Sequence, residues 1–301
     1  MTPRARALIA SLACMYATNS AGAAEPPPYS LPWQLRPAAA ANAVRIDSSE
    51  AFFQDKTGNK GFTSATMVLG CWRVTPNLAL SVRLGGVANV PPTGATGYSF
   101  LNPAVAATWV LHLPAHLRLA FALGVTLPVG TGGGDGPDAA TAAANKAGIL
   151  ARSAMDNAMF AVNYTAVMPG VGFAWVDHGV TVQLDAGVLE LIRVRGEAVD
   201  KDAARTNLIT GLHVGYFIIP QLSVGAELRY QRWLSTPAAV AADPTGTIVD
   251  NLTVAVGVRG HFKAGKRVVL RPGLSYTRGL DDPMAANNYN IVQVDLPIYF
   301  N

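Results

Sequence analysis

The chain has little charge, almost no cysteine, and no long apolar run after its first residues. Only 14% of its 301 residues are charged while 50% are hydrophobic, which excludes a disordered chain. No later stretch approaches the ~18 consecutive apolar residues that a membrane-spanning helix needs. The sequence has only two cysteines, Cys14 and Cys71, and loss of Cys14 with the signal peptide predicted below would leave Cys71 alone, which excludes a disulfide framework and a metal site built on cysteine pairs.

The first residues have the features of a secretory signal peptide. Arg4 and Arg6 form a basic region, an apolar segment follows, and residues 21–23 offer a small-residue cleavage site. We therefore predict a signal peptide over residues 1–23; a lipoprotein signal with acylated Cys14 is the alternative. Cleavage would remove two arginines from a formal net charge of +4, so the basic pI does not indicate a polyanionic partner such as nucleic acid.

Motifs for catalysis, metals and cofactors are missing. The five histidines are scattered without metal-ligand spacing, and no Gly-x-Ser-x-Gly motif occurs. The glycine-rich run Gly130–Gly136 has Asp135 where a nucleotide-binding loop needs its third glycine. An Ala-rich helical stretch follows over 139–154, with Asp138 as its N-cap, so we predict a hinge to an extracellular or inward-folded loop. The sequence predicts no enzymatic role and no cofactor.

The chain is instead rich in apolar and polar residues that alternate with period two. In the last segment Val292, Val294, Leu296, Ile298 and Phe300 share one face, and Gln293, Asp295, Pro297 and Tyr299 share the other. Such alternation predicts a strand that is apolar on one side only. The segment resembles the terminal strand of bacterial outer-membrane β-barrels, which usually ends in Phe, although Asn301 follows here.

The same alternation recurs about twelve times, with connections that are short and long by turns. The predicted strands are 43–54, 62–74, 78–89, 100–113, 117–127, 160–176, 180–195, 207–219, 222–233, 251–262, 268–277 and 289–301. An even number places both ends and all short turns on the periplasmic side, and all long loops outside. We predict that residues 41–301 form an all-β, antiparallel transmembrane barrel in the outer membrane of a Gram-negative bacterium. Proline-rich residues 24–40 are predicted to be a periplasmic leader or a plug in the barrel mouth.

Aromatic residues cluster near both ends of the predicted strands, as in a bilayer-spanning barrel. One girdle comprises Trp72, Trp175, Tyr216, Phe262 and Phe300; the other comprises Phe52, Tyr98, Phe160, Tyr230, Trp233, Tyr276 and Tyr289.

Two strands are irregular. A change of phase near Pro169-Gly170 predicts a bulge or bend, and Glu190 falls on the lipid face unless a bulge near Leu189 turns it inward or it lies near the outer interface.

Charged residues on the polar faces are predicted to line the lumen or its constriction. They are Arg83, Asp185, Glu227, Arg229, Arg259, Arg271 and Asp295. Four of them, at similar depth on the last four strands, are predicted to form one ion-pair network: Glu227, Arg259, Arg271 and Asp295. Such charges either satisfy one another in a small lumen or form a constriction that selects solutes. Small inward residues are expected to leave a narrow passage: Ala120, Ala122, Gly124, Gly187, Gly211, Gly215, Gly225, Gly257 and Gly273.

The stretch from Asn102-Pro103 to Leu127-Pro128-Val129-Gly130 resembles the transporter family associated with the MetA pathway of phenol degradation. The resemblance implies an outer-membrane channel or facilitator for passive uptake of small solutes, hydrophobic or aromatic ones included. The alternative is a structural or adhesive surface barrel with a plugged lumen. The expected partners are outer-membrane lipids, the barrel-assembly machinery and an unidentified small solute.

Overall fold

The computed structural model describes residues 28–196 and 202–300 and contains one antiparallel sheet that closes on itself. The first strand, β1 (Asn42–Gln54), pairs with the last, β15 (Asn290–Phe300), so that Asn42 faces Phe300 and Phe52 faces Asn290. The prediction of a transmembrane-type antiparallel β-barrel is therefore confirmed. The predicted signal peptide, with Cys14, lies outside the described residues.

Fifteen β segments build twelve wall strands, because two strands are interrupted and one is extended. The other segments are β2 (Lys60–Arg73), β3 (Leu78–Val90), β4 (Gly97–Phe100), β5 (Ala104–Leu113), β6 (Leu117–Thr126), β7 (Tyr164–Asp177), β8 (Val180–Arg193), β9 (Ala204–Ile219), β10 (Leu222–Trp233), β11 (Asp250–Gly260), β12 (Phe262–Ala264), β13 (Val268–Leu270) and β14 (Gly273–Gly279). Three helices lie in connections: α1 (Ala139–Ala151), α2 (Asn157–Phe160) and α3 (Ala238–Ala241).

Both interruptions occur where the sequence pattern predicted continuous strands, and each contains a proline. Proline cannot donate to the ladder, so Pro103 separates β4 from β5 and Pro272 separates β13 from β14. The first break has a further cause, because the fully buried Asn102 turns into the lumen. Its side-chain amide accepts from Gly130 N at 2.9 Å and donates to Ala161 O at 2.9 Å. Asn102 thereby fixes both ends of the long segment between β6 and β7, residues 127–163, hereafter the connector.

Side chains alternate across the wall as predicted, with apolar residues facing out and polar ones facing in. Trp72, Tyr216, Phe262 and Phe300 are exposed near the short turns, and Phe52, Tyr98 and Tyr276 near the long loops. For three residues of the girdle near the long loops, the prediction is wrong. Phe160 and Tyr289 are only 4% and 5% exposed, and Trp233 packs against an inner cluster. Phe160 belongs to the connector itself, and the Tyr289 ring stacks on Phe53 at 4.7 Å.

The two predicted irregularities contain no bulge. Val167 faces Glu190 and Gly170 faces Gly187, so the register of β7 and β8 continues across Pro169, where only the ladder is interrupted. Glu190 therefore stays on the outer face. It lies near the long-loop end of β8, where its carboxylate accepts a hydrogen bond from Thr206 Oγ1 at 2.8 Å. A hydroxyl partner near the interface satisfies a charge that would be costly at mid-bilayer.

Two segments occupy the lumen of the barrel. Residues 28–41, hereafter the leader, enter from the short-turn end. The connector folds inward from the long-loop end, and α1 begins as predicted at Asp138, whose carboxylate accepts from Thr141 N at 2.8 Å. Within the described residues, no helix is long and apolar enough to cross a membrane.

Candidate functional site

The leader is bound to the inner wall mainly through its backbone. The N–H groups of Trp33 and Gln34 both donate to the Glu227 carboxylate, the second at 3.2 Å. Ser30 N donates to Thr181 Oγ1 at 3.0 Å, and Trp33 O accepts from Gln293 Nε2 at 3.3 Å. These contacts join β8, β10 and β15, so the leader forms a floor across the lumen.

Glycines of the inner wall form the groove in which the leader lies. A Cβ added at Gly211 would collide with Leu35, one at Gly215 with Ser30, and one at Gly170 with the Arg36 guanidinium. The expectation that inward glycines leave an open passage is therefore wrong for β9, where the leader fills their space. Ala122 and Gly124 on β6 do border open volume.

The connector is fastened to the wall by buried charges. Arg152, fully buried at the end of α1, is ion-paired with Asp47 of β1 and, at 2.9 Å, with Asp156 of the connector. Asp156 also accepts from Arg83 of β3 at 2.7 Å. Burial opposes ionisation of Asp156, but Arg83 and Arg152 outweigh it and lower its pKa to about 2. The connector therefore forms a roof whose ion pairs persist at physiological pH.

Between floor and roof lies a chamber of ≈ 210 Å³. Its lining includes Leu31, Trp33 and Tyr299 below, Met155 and Met159 above, and a wall of small or apolar residues such as Ala79, Ala104, Ala106, Ala122, Gly124 and Met168. Paired charges border it: Arg36 with Asp185 at 3.3 Å, Arg45 with Asp47 at 3.4 Å, and Arg83 with Asp156. The site is thus a mainly apolar compartment with polar corners, suited to a small organic solute.

All seven residues predicted to line the lumen face inward, but the predicted single network is wrong. Asp295 binds Arg259 through both oxygens at 3.0 Å and Arg45 at 2.7 Å. Glu227 instead binds its own strand neighbour Arg229 at 2.8 Å.

Arg271, the fourth predicted member, lies with its guanidinium 4.6 Å from the centre of the Tyr299 ring. The register against β15 continues across Pro272, where Leu270 faces Ile298 and Gly273 faces Asp295, and Asp295 is already bound by Arg259 and Arg45. Arg83 and Asp185 contribute to the roof and floor respectively.

Several lumen residues escaped the sequence analysis. They are Arg36, Arg45, Asp47, Arg152, Asp156 and the buried His213. Arg45 and Asp47 carried a usable signal, since they alternate with Val44 and Ile46 on the first strand. Arg36, Arg152 and Asp156 belong to irregular or helical segments, where period-two alternation says nothing about which way a side chain points.

Solved structures with this fold are outer-membrane proteins. The crystal structure of the COG4313 outer membrane channel from Pseudomonas putida F1 superposes with a TM-score of 0.54 at 13% identity, covering 90% of this chain and 100% of that one. The protein has the fold of an outer-membrane β-barrel. The KdgM porin in complex with disordered oligogalacturonate overlaps less well, with a TM-score of 0.48 at 11% identity over 85% of this chain and 99% of that chain.

Sequence comparison adds nothing to this. No protein-family model matches the chain, so the resemblance to the phenol-degradation transporter family stays a prediction. No curated protein matches it significantly either.

Proposed function

We propose that the protein is an outer-membrane channel or facilitator for passive uptake of small solutes, hydrophobic or aromatic ones included. The observation that carries the proposal is the chamber between leader and connector. Protein interiors are close-packed, and a lumen that served only as scaffold would be filled by side chains. Here the space is lined by alanine, glycine and methionine, and methionine adapts to ligands of different shape.

We expect passage of a solute through the chamber to involve movement of the roof or the floor. Neither is part of the sheet: the roof is held mainly by Arg152, Asp156 and their partners, and the floor by hydrogen bonds to wall side chains. Displacement of either segment would leave the closed ladder between β1 and β15 intact. The roof and the floor can therefore move without disrupting the barrel.

Planar-bilayer recording tests the proposal, with Arg152→Ala as the variant that loosens the roof. Loss of Arg152 leaves Asp47 and Asp156 with only one guanidinium partner each, so the open probability and the uptake of a neutral aromatic solute into proteoliposomes should rise. Lys146→Ala, on the exposed face of the same helix, is the matched control and should behave as wild type.

The alternative is a structural surface barrel whose lumen stays plugged. It is favoured by the extent to which leader and connector fill the lumen, with Trp33 and Leu35 of the leader and Met159 of the connector each 2% exposed. Under this alternative no current passes in wild type or in the Arg152→Ala variant, at any voltage or salt concentration. Any reproducible current that depends on Arg152 excludes it.

A further inference from the structure

Two arginines inside the short-turn mouth lack a carboxylate partner. Arg118, at the start of β6, has its guanidinium 4.9 Å from the centre of the Tyr29 ring. Arg271, between β13 and β14, stacks in the same way on Tyr299, and its Nε makes no hydrogen bond. Within the described residues neither guanidinium forms an ion pair.

Among the residues that the structure describes, the carboxylates of the lumen are already bound and supply no countercharge to these arginines. Asp47, Asp156, Asp185, Glu227 and Asp295 are each ion-paired with at least one of Arg36, Arg45, Arg83, Arg152, Arg229 and Arg259. A confined charge without a partner is costly, so a diffusible anion is the natural counterion for Arg118 and Arg271.

The surroundings of the two arginines define what kind of anion fits. A guanidinium matches the two oxygens of a carboxylate in a planar fork, and the tyrosine rings present flat apolar surfaces beside it. Tyr299 packs against the cluster that contains Tyr29 and Leu31, and both Tyr299 and Leu31 also line the chamber. An anion held here would therefore direct an apolar body toward the chamber.

We infer that Arg118 and Arg271, with Tyr29 and Tyr299, form a binding site for small organic monocarboxylates with an apolar body. The site rests on the proposed function for the delivery of its ligand, and it deepens that function by making solutes of this class the preferred cargo. The carboxylate binds a guanidinium at the short-turn mouth while the apolar part contacts the tyrosine rings and the chamber floor.

The test is calorimetric titration of the folded full chain in detergent micelles with three probes: benzoate, acetate and benzyl alcohol. Benzoate should bind, acetate at least tenfold more weakly because it lacks the apolar body, and benzyl alcohol at least tenfold more weakly because it lacks the charge. Benzoate affinity in wild type should also fall at least tenfold between 50 mM and 1 M KCl, since salt screens the guanidinium. No saturable benzoate binding, or equal affinity for benzyl alcohol, would overturn the site.

Variants assign the binding to the two arginines. The Arg118→Gln/Arg271→Gln double variant should lose at least tenfold in benzoate affinity. The control Lys263→Gln/Lys266→Gln removes two charges from the exposed hairpin at the same end and should change the benzoate affinity less than twofold. Equal losses in the two double variants would overturn the assignment. If the glutamine pair fails to fold, Arg118→Lys/Arg271→Lys keeps the charges without the fork and should retain benzoate binding at reduced affinity; unchanged affinity would overturn the role of the fork.

Bilayer recordings separate this site from the channel itself. In a KCl gradient the wild-type reversal potential should indicate preference for chloride, and the glutamine pair should reduce that preference. Benzoate binding without any conductance would defeat the channel and leave the site in place. Conductance with no benzoate binding would defeat the site and leave the channel.

Discussion

Arg259 and Asp295 form a bidentate ion pair, and substitutions at the two positions should be strongly coupled in their effect on the free energy of unfolding. Asp295 is 1% exposed and takes both guanidinium nitrogens of Arg259 at 3.0 Å, so neither group has water to replace a lost partner. Removing one partner of such a buried pair typically costs about 3–5 kcal/mol, because the other charge is left unpaired. Asp295→Asn and Arg259→Met should each fall in that range.

The double variant should cost about 2–3 kcal/mol less than the sum of the two single ones. Once Arg259 is gone, loss of the Asp295 charge affects chiefly Arg45, which retains Asp47 at 3.4 Å. We therefore expect a coupling free energy of about 2–3 kcal/mol between Arg259 and Asp295. For Arg271, which stacks on Tyr299 instead, the coupling to Asp295 should be below about 0.5 kcal/mol.

The free energy of unfolding is measured by urea titration in detergent micelles, followed by tryptophan fluorescence and by the mobility of unheated samples on gels. Two double-mutant cycles are compared, one pairing Asp295→Asn with a substitution of Arg259 and one with a substitution of Arg271. The Arg271 cycle is the internal control. Comparable coupling in both cycles would show that the lumen charges act as one diffuse field. Absence of coupling in both cycles would refute the claim that Arg259 and Asp295 form a direct ion pair shielded from water.

Three further predictions concern assembly, orientation and access. The barrel should migrate faster before boiling, and removal of Phe300 with Asn301 should impair assembly more than removal of Asn301 alone; equal folded yields would remove the role of the terminal aromatic residue. A protease site near Asp282 should be cut on intact cells and one within Lys263–Lys266 should not, whereas the opposite result would invert the barrel. Cys71 faces the chamber, so a small neutral thiol reagent should label it faster when Arg152 is replaced by alanine than in wild type. Equal labelling rates would show that the roof does not control entry.

Period-two alternation was sufficient to predict the wall, and its success has a simple cause. Lipid on one side and lumen on the other force every wall strand to alternate, so residues such as Val294 and Asp295 show their faces directly in the sequence. The bulge or bend predicted near Pro169 was less accurate, because a proline can end pairing at one position while the register continues.

The interior could not be predicted to the same degree, since its partners are set by segments without periodicity. Glu227 was correctly placed inside, but its contact with the backbone of Trp33 and Gln34 depends on how the leader folds back. Gly211 was correctly placed inside too, yet its role as a seat for Leu35 appears only when the leader is seen beside it. Strand patterns define which residues face a lumen but not what fills it.

The position of the leader sets the order in which the molecule can be completed. The leader precedes β1 in the chain, so it is synthesised before any wall strand, yet its partners Glu227 and Gln293 belong to strands that are synthesised late. It is also joined directly to β1, which closes against β15. The complete set of floor contacts therefore needs the same last strand that closes the barrel. A barrel that has not yet closed is, for this protein, also a barrel whose floor is incomplete.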